Sequence, residues 1–171
     1  MKFILGIDPG MTGAMSIIDE HGNFMVCEDL AGTDGRLNVA EAVNWIEQYH
    51  SGPFPISMAV IENVGSMPKQ GVSTTFKFGR AAGTCEGMVQ TLRLPMDLIT
   101  PAKWKQQMKM AKKDKDYPRQ WCQKRWPKVD AFDLKGKGQA RADATCIALA
   151  WLELHPEFRE APSKRPPRRR T

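Results

Sequence analysis

The sequence predicts an α/β chain built on a mixed five-stranded sheet flanked by helices, with three antiparallel strands followed by parallel ones. Three observations carry this. Apolar runs at 2–8, 12–19 and 22–30, rich in Ile, Val, Met and Phe, are separated only by Pro9-Gly10 and His21-Gly22-Asn23. Such links are too short for anything but antiparallel hairpins. The spacing then turns helical over 38–50 and returns to a nearly continuous apolar run, ISMAVIEN, at 56–63, the pattern of a central strand covered on both faces. A further helix over 73–93 and a short strand over 96–100 repeat the alternation, and helical crossovers of this kind join parallel strands.

Each element has its own signal. The first strand, ILGID, delivers one carboxylate, Asp8, to its tip before the turn, and the second returns to Asp19. In 38–50, Asn38 suits a helix cap, and Val39, Val43 and Ile46 with Ala42 and Trp45 form the apolar face. The strand at 56–62 ends on Glu62. The loop VGSMPKQGVS (64–73) is turn-rich, with Gly65, Pro68 and Gly71. The helix after it begins at Ser73 or Thr74 and carries Gly79, Gly83 and Gly87 at four-residue spacing. A glycine costs a helix ~1 kcal/mol relative to alanine, so a close-packed surface is implied, between two copies or against the chain's own sheet. Helical stretches follow at 101–108 and 116–126. Residues 130–139, with Gly136 and Gly138, read as a loop, and 140–154 as the last helix, its apolar side marked by Cys146, Ile147, Ala150 and Leu154. One domain is expected over 1–155. Residues 156–171, ending in PSKRPPRRRT, read as a basic disordered tail.

Composition narrows the function. A chain of 171 residues suits one domain with a sizeable core. No apolar stretch approaches the ~20 residues that span a bilayer, and no signal-peptide pattern opens the chain, so no membrane partner and a cytoplasmic setting are expected. Cys27, Cys85, Cys122 and Cys146 are widely spaced with no CxxC pair, which argues for free thiols rather than zinc. Charge is unevenly placed: residues 1–100 carry a net −5, 101–128 a net +8 without a single Glu, and 129–171 a net +3. Basic charge gathered in one segment is the footprint of a polyanion, and nucleic acid is the expected partner.

The acids point to a reaction. In the predicted sheet Asp8 and Glu62 both end strands at the same carboxyl edge, where open α/β sheets bind ligands. Asp143, in RADAT, falls near the expected start of the last helix, where the helix dipole favours an anion. Three carboxylates brought together repel and raise one another's pKa values unless a cation intervenes. Oxygen-only ligands suit Mg²⁺, with Mn²⁺ as a substitute. One such ion, or a pair ~3.5–4 Å apart, supports phosphodiester hydrolysis.

GIDPG at 6–10, VIEN at 60–63, STTFKFGRAAG at 73–83, ITPAKWK at 99–105 and RADA at 141–144 together resemble the RuvC-type Holliday junction resolvases, most closely their phage and prophage branch. The resemblance runs from about residue 2 to residue 154. It implies an RNase H-like fold, a homodimer, and Mg²⁺-dependent nicking of four-way DNA junctions in a bacterial or phage-infected cell. Catalytic and metal-binding roles then fall to Asp8, Glu62 and Asp143. The family's further acidic or histidine ligand shortly before the last aspartate is missing: Gly138, Gln139 and Ala140 stand there. Gln139 offers a carbonyl oxygen instead, and Asp133 is a second substitute. By the same resemblance a lysine of KKDK, Lys115, lies near the scissile phosphate, where a cation stabilises developing charge.

DNA contacts are expected from the basic segment and from the loop after Glu62. Lys103, Lys105, Lys112, Lys113 and Lys115 are candidates for phosphate contacts. In the loop, Lys69 is a further DNA contact and Met67 a wedge between unstacked bases. Trp121 and Trp126 read as helix core rather than as base-stacking platforms. Two rival functions remain. An actin- or sugar-kinase-like ATPase shares the turn of Asp8, Gly10 and Thr12 but needs a second domain and another glycine-rich phosphate loop, neither of which these residues show. A weak or inactive branched-DNA binder on the same fold is suggested by the missing ligand.

Overall fold

β1 (Phe3–Asp8) is the axis of the sheet: five of its six residues are buried, so both faces must be covered. In this computed structural model, which describes residues 1–53, 55–65 and 71–159, β1 pairs antiparallel with β2 (Ala14–Asp19), which pairs antiparallel with β3 (Phe24–Asp29). On its other side β1 runs parallel to β6 (Ile56–Glu62), and β6 parallel to β7 (Met96–Ile99). The sheet order is β3-β2-β1-β6-β7, the predicted mixed five-stranded arrangement. Asp19 shapes the β2–β3 turn by accepting hydrogen bonds from the backbone N–H groups of His21 and Asn23 and from the Asn23 side chain.

Strand alternation sorts the core into two layers. Ile4, Ile18 and Val60 face one side, under α3 (Pro101–Gln107), α4 (Tyr117–Arg125) and α5 (Lys135–Leu154). Leu5, Ile7, Ile17 and Ile61 face the other, under α1 (Val39–His50) and α2 (Val72–Thr91). Each fully buried Ile or Leu contributes about 1.5–3 kcal/mol, so the central strands fix which edge the acids reach. Asn38 caps α1 as expected, accepting from the Glu41 N–H. Val39, however, is exposed rather than part of the apolar face. Trp121 and Trp126 pack edge to face within the core layer of α4 and α5, not as open platforms. Cys85, Cys122 and Cys146 are buried free thiols, and Cys27 is half-buried.

Further features add to or depart from the expected fold. β4 (Gly32–Thr33) and β5 (Arg36–Leu37) form a small ribbon whose tip, Asp34 and Gly35, has positive φ at both positions, the Asp-Gly hairpin geometry. Gly79, Gly83 and Gly87 are not packed against the sheet: a side chain on any of them would meet nothing within 4 Å. With exposed Val72 and Phe76 they form an open, apolar outward face of α2. The last helix starts at Lys135, not at 140, because Gly138 lets its first turn settle on Phe132; a Cβ there would lie 2.8 Å from the Phe132 carbonyl oxygen. The packed chain also runs past 155: Pro156–Phe158 form a 3-10 turn whose Phe158 ring meets Trp151 edge to face. Met67, Lys69 and most of the expected tail lie outside the described residues.

Candidate active site

β1 and β6 end side by side. Ile7 pairs with Ile61 in the parallel register, so Asp8 and Glu62 leave the sheet as neighbours at its carboxyl edge. The turn after Asp8 is tight enough to exclude a side chain, since a Cβ on Gly13 would sit 2.0 Å from the Asp8 carbonyl oxygen. The third acid arrives from above. α5 lies directly on β1, where a Cβ on Gly6 would fall 2.1 Å from the Ala144 carbonyl oxygen. Ala14, Ala140 and Ala144 close the same contact with the smallest side chains available.

Two polar locks fix how α5 is rotated over the sheet. Thr145 Oγ1 donates to the Arg141 carbonyl at 2.7 Å, so the Ser16 hydroxyl, 2.7 Å away and fully buried, donates to Thr145. Arg141 grips Asp29, at the end of β3, through Nε at 2.7 Å and Nη2 at 3.0 Å, and donates to the Ala131 carbonyl at 3.2 Å. Burial alone would raise the Asp29 carboxyl, but hydrogen bonds from Arg141 and Lys137 hold it below the usual range. Arg141 and Thr145 flank Asp143 in sequence, so both locks aim it. Asp143 stands more than two turns into α5, which removes the helix-start dipole as its stabiliser.

All three acids are raised, chiefly by burial. Asp8 is pushed well above the carboxylate range, first by burial, then by the charges of Glu62 and Asp143; Lys105 and Lys115 oppose this. Asp143 is raised to about 6, chiefly by burial; a hydrogen bond from Gln139 and the charges of Lys105 and Lys115 pull it down, while Glu62 pushes it up. Glu62 is raised by burial, against the Trp104 indole and Lys105. A shallow cleft of about 960 Å³ opens beside Asp8 and Asp143, lined also by Gln139, Lys115, Lys135 and Lys137; Glu62 stands outside its lining.

Lys115, expected near the chemistry, and Lys105, expected as a DNA contact, both oppose the raised pKa values of Asp8 and Asp143. Lys103, Lys112 and Lys113 are exposed on the same stretch, and the Lys113 ammonium lies 5.4 Å from the Tyr117 ring centroid. Asp133 is a correction: it is exposed, accepts from the Gln123 side chain at 3.1 Å, and does not line the cleft. The Gln139 Nε2 donates to Asp143 Oδ1 at 3.0 Å, and its Oε1 is buried without a partner. Sequence reasoning missed Lys135 and Lys137, because KGKG reads as a loop rather than as the first turn of a helix. Trp104 was missed as a site residue; its indole donates to Glu62 Oε1 at 2.6 Å.

As they stand, no three His, Cys, Asp or Glu side chains among the described residues are grouped to hold one metal ion. The donor chemistry nevertheless fits a hard divalent cation: the donors are all oxygens, with raised carboxylates and a buried amide oxygen lacking a partner.

No protein-family model matches the chain, and no curated protein matches it in sequence. Solved structures do match in shape. Thermus thermophilus RuvC superposes with a TM-score of 0.64 at 18% identity, covering 92% of this chain and 97% of that one. The same organism's RuvC in complex with a Holliday junction substrate gives 0.63 at 17% identity, over 92% and 96%. The chain has the RuvC-type resolvase fold. Fowlpox virus resolvase, solved with substrate Holliday junction DNA, shares it more loosely, with a TM-score of 0.51 at 13% identity over 88% and 99%. Among the described residues, no helix of this RuvC-like fold is long and apolar enough to cross a membrane.

Proposed function

We propose that this protein is a structure-specific DNA endonuclease that resolves four-way junctions by metal-dependent phosphodiester hydrolysis. The observation that carries this reading is the convergence of Asp8 and Glu62, from adjacent parallel strand ends, with Asp143, from the helix packed on β1, beside a cleft lined by Lys115, Lys135 and Lys137. The likeness in fold to resolvases solved on Holliday junctions supports the choice of substrate. Asp8, Glu62 and Asp143, with the Gln139 amide oxygen, would hold Mg²⁺ or Mn²⁺. When bound, the metal would lower the pKa of a water and neutralise charge on the phosphate.

The chain's own residues supply the rest. Lys115 and Lys105 offset the carboxylates, and Lys115, which lines the cleft, faces the charge that grows on a phosphate under attack. Lys135 and Lys137 extend that positive wall, and Lys103, Lys112 and Lys113 contact the backbone of the departing duplex arms. A junction needs two nicks, and the open face of α2, from Val72 and Phe76 along Gly79, Gly83 and Gly87, is the surface on which a second copy would pack. The setting that fits this work is the cytoplasm.

A second reading, a branched-DNA binder without catalysis, is favoured by one observation, the absence, among the described residues, of three acids grouped to hold an ion. A synthetic four-way junction separates the two. The nuclease reading expects paired nicks with Mg²⁺ or Mn²⁺. Tight binding with intact strands under both metals would establish the binder.

A further inference from the structure

Trp104 is nearly fully buried, at 1% exposure, yet its one polar atom points at the edge of the sheet that carries the acids. The path that puts it there is short. Glu62, the last residue of β6, pairs with Ile99, the last residue of β7, and the Asn63 N–H bonds the Ile99 carbonyl at 2.8 Å. Thr100 then caps α3, accepting from the Lys103 N–H at 3.3 Å, with Pro101 opening the helix. One helical turn on, Trp104 sits beside Glu62, and its Nε1–H reaches Glu62 Oε1 at 2.6 Å. The Lys105 ammonium covers the same indole ring, 5.1 Å from its centroid.

We infer that Trp104 is a positioning residue for Glu62: its buried indole N–H holds one carboxylate oxygen so that the other is presented to a bound divalent cation. The inference rests on the proposed metal-dependent reading and deepens it. A glutamate has three side-chain torsions to freeze before it can ligate, and the indole settles them in advance. The dependence is mutual, since a buried N–H without an acceptor is unfavourable. Partners that orient metal ligands in this way typically change metal affinity about 10–100-fold when removed. Gln139 stands in the same relation to Asp143, through Nε2 at 3.0 Å, so two of the three acids have one oxygen held by a neighbouring N–H.

The test is a calorimetric titration of the DNA-free protein with Mn²⁺, wild type against Trp104→Phe, which keeps an aromatic ring and removes the N–H. An affinity weaker by about 10–100-fold is expected, with junction binding in EDTA unchanged. Equal Mn²⁺ affinity in the two proteins would overturn the inference while leaving the metal site standing. Wild type that binds no Mn²⁺ would instead overturn the metal-dependent reading and this inference with it. Where Trp104→Phe fails to fold, ¹⁵N spectra of the wild-type tryptophan indoles decide. One indole resonance should move both on adding Mg²⁺ and in Glu62→Gln. No resonance that responds to both would overturn the assignment.

Discussion

Asp8 and Asp143 are acids kept where ionisation is unfavourable, and this has a measurable signature. The folded-state pKa of Asp143, about 6, lies above the ordinary aspartate value of 3.8. The folded chain therefore binds more protons than the unfolded chain between those values, and stability falls as pH rises from about 4 through 6. The difference corresponds to a loss on the order of 3 kcal/mol at neutral pH. Asp143→Asn should remove most of it: without metal, the variant should melt higher than wild type at pH 7.5 and level with it near pH 4, while junction cleavage is lost. Identical melting temperatures at pH 7.5 would show that the site stores no such strain. Cleavage by wild type should fall as pH drops through about 6, because the proton competes for the carboxylate. Gain in stability with loss of activity is the trade-off expected of groups placed for function.

At the scale of the elements, the site depends on how closely α5 lies on β1. Gly6 is the critical residue, because an added methyl would collide with the Ala144 carbonyl. Gly6→Ala should cost about 1–3 kcal/mol by overpacking and lift Asp143 away from Asp8, read as a lower denaturation midpoint and weaker cleavage. The strands were legible in the sequence because their apolar runs and Pro/Gly punctuation are local signals, and Asp8 and Glu62 came with them as strand-end acids. The start of α5 was not legible: Gly136 and Gly138 break helices by propensity, and only the close approach of Phe132 explains Gly138. The same pair of glycines hid Lys135 and Lys137. Trp104 could not be found from local pattern, since its role is set by the pairing of Glu62 with Ile99, strands far apart in sequence.

Across the whole molecule, charge and shape agree on a polyanion. Asp8 and Asp143 line one cleft with Lys115, Lys135 and Lys137, and residues 101–128 add a net +8. Binding to a four-way junction should weaken steeply with salt. Replacing Lys112 and Lys113 together by Ala should reduce the slope of log K against log salt by about 2, since each phosphate neutralised adds roughly 0.9 to it. An unchanged slope would take those two lysines off the DNA surface.

The most direct measurement is strand cleavage of a four-way junction in Mg²⁺ by wild type and by Asp8→Asn, with binding followed in the same samples. Wild type should make paired nicks, Asp8→Asn none, and both should bind equally. Nicking by Asp8→Asn at the wild-type rate would contradict this, placing the chemistry away from the carboxyl edge of β1.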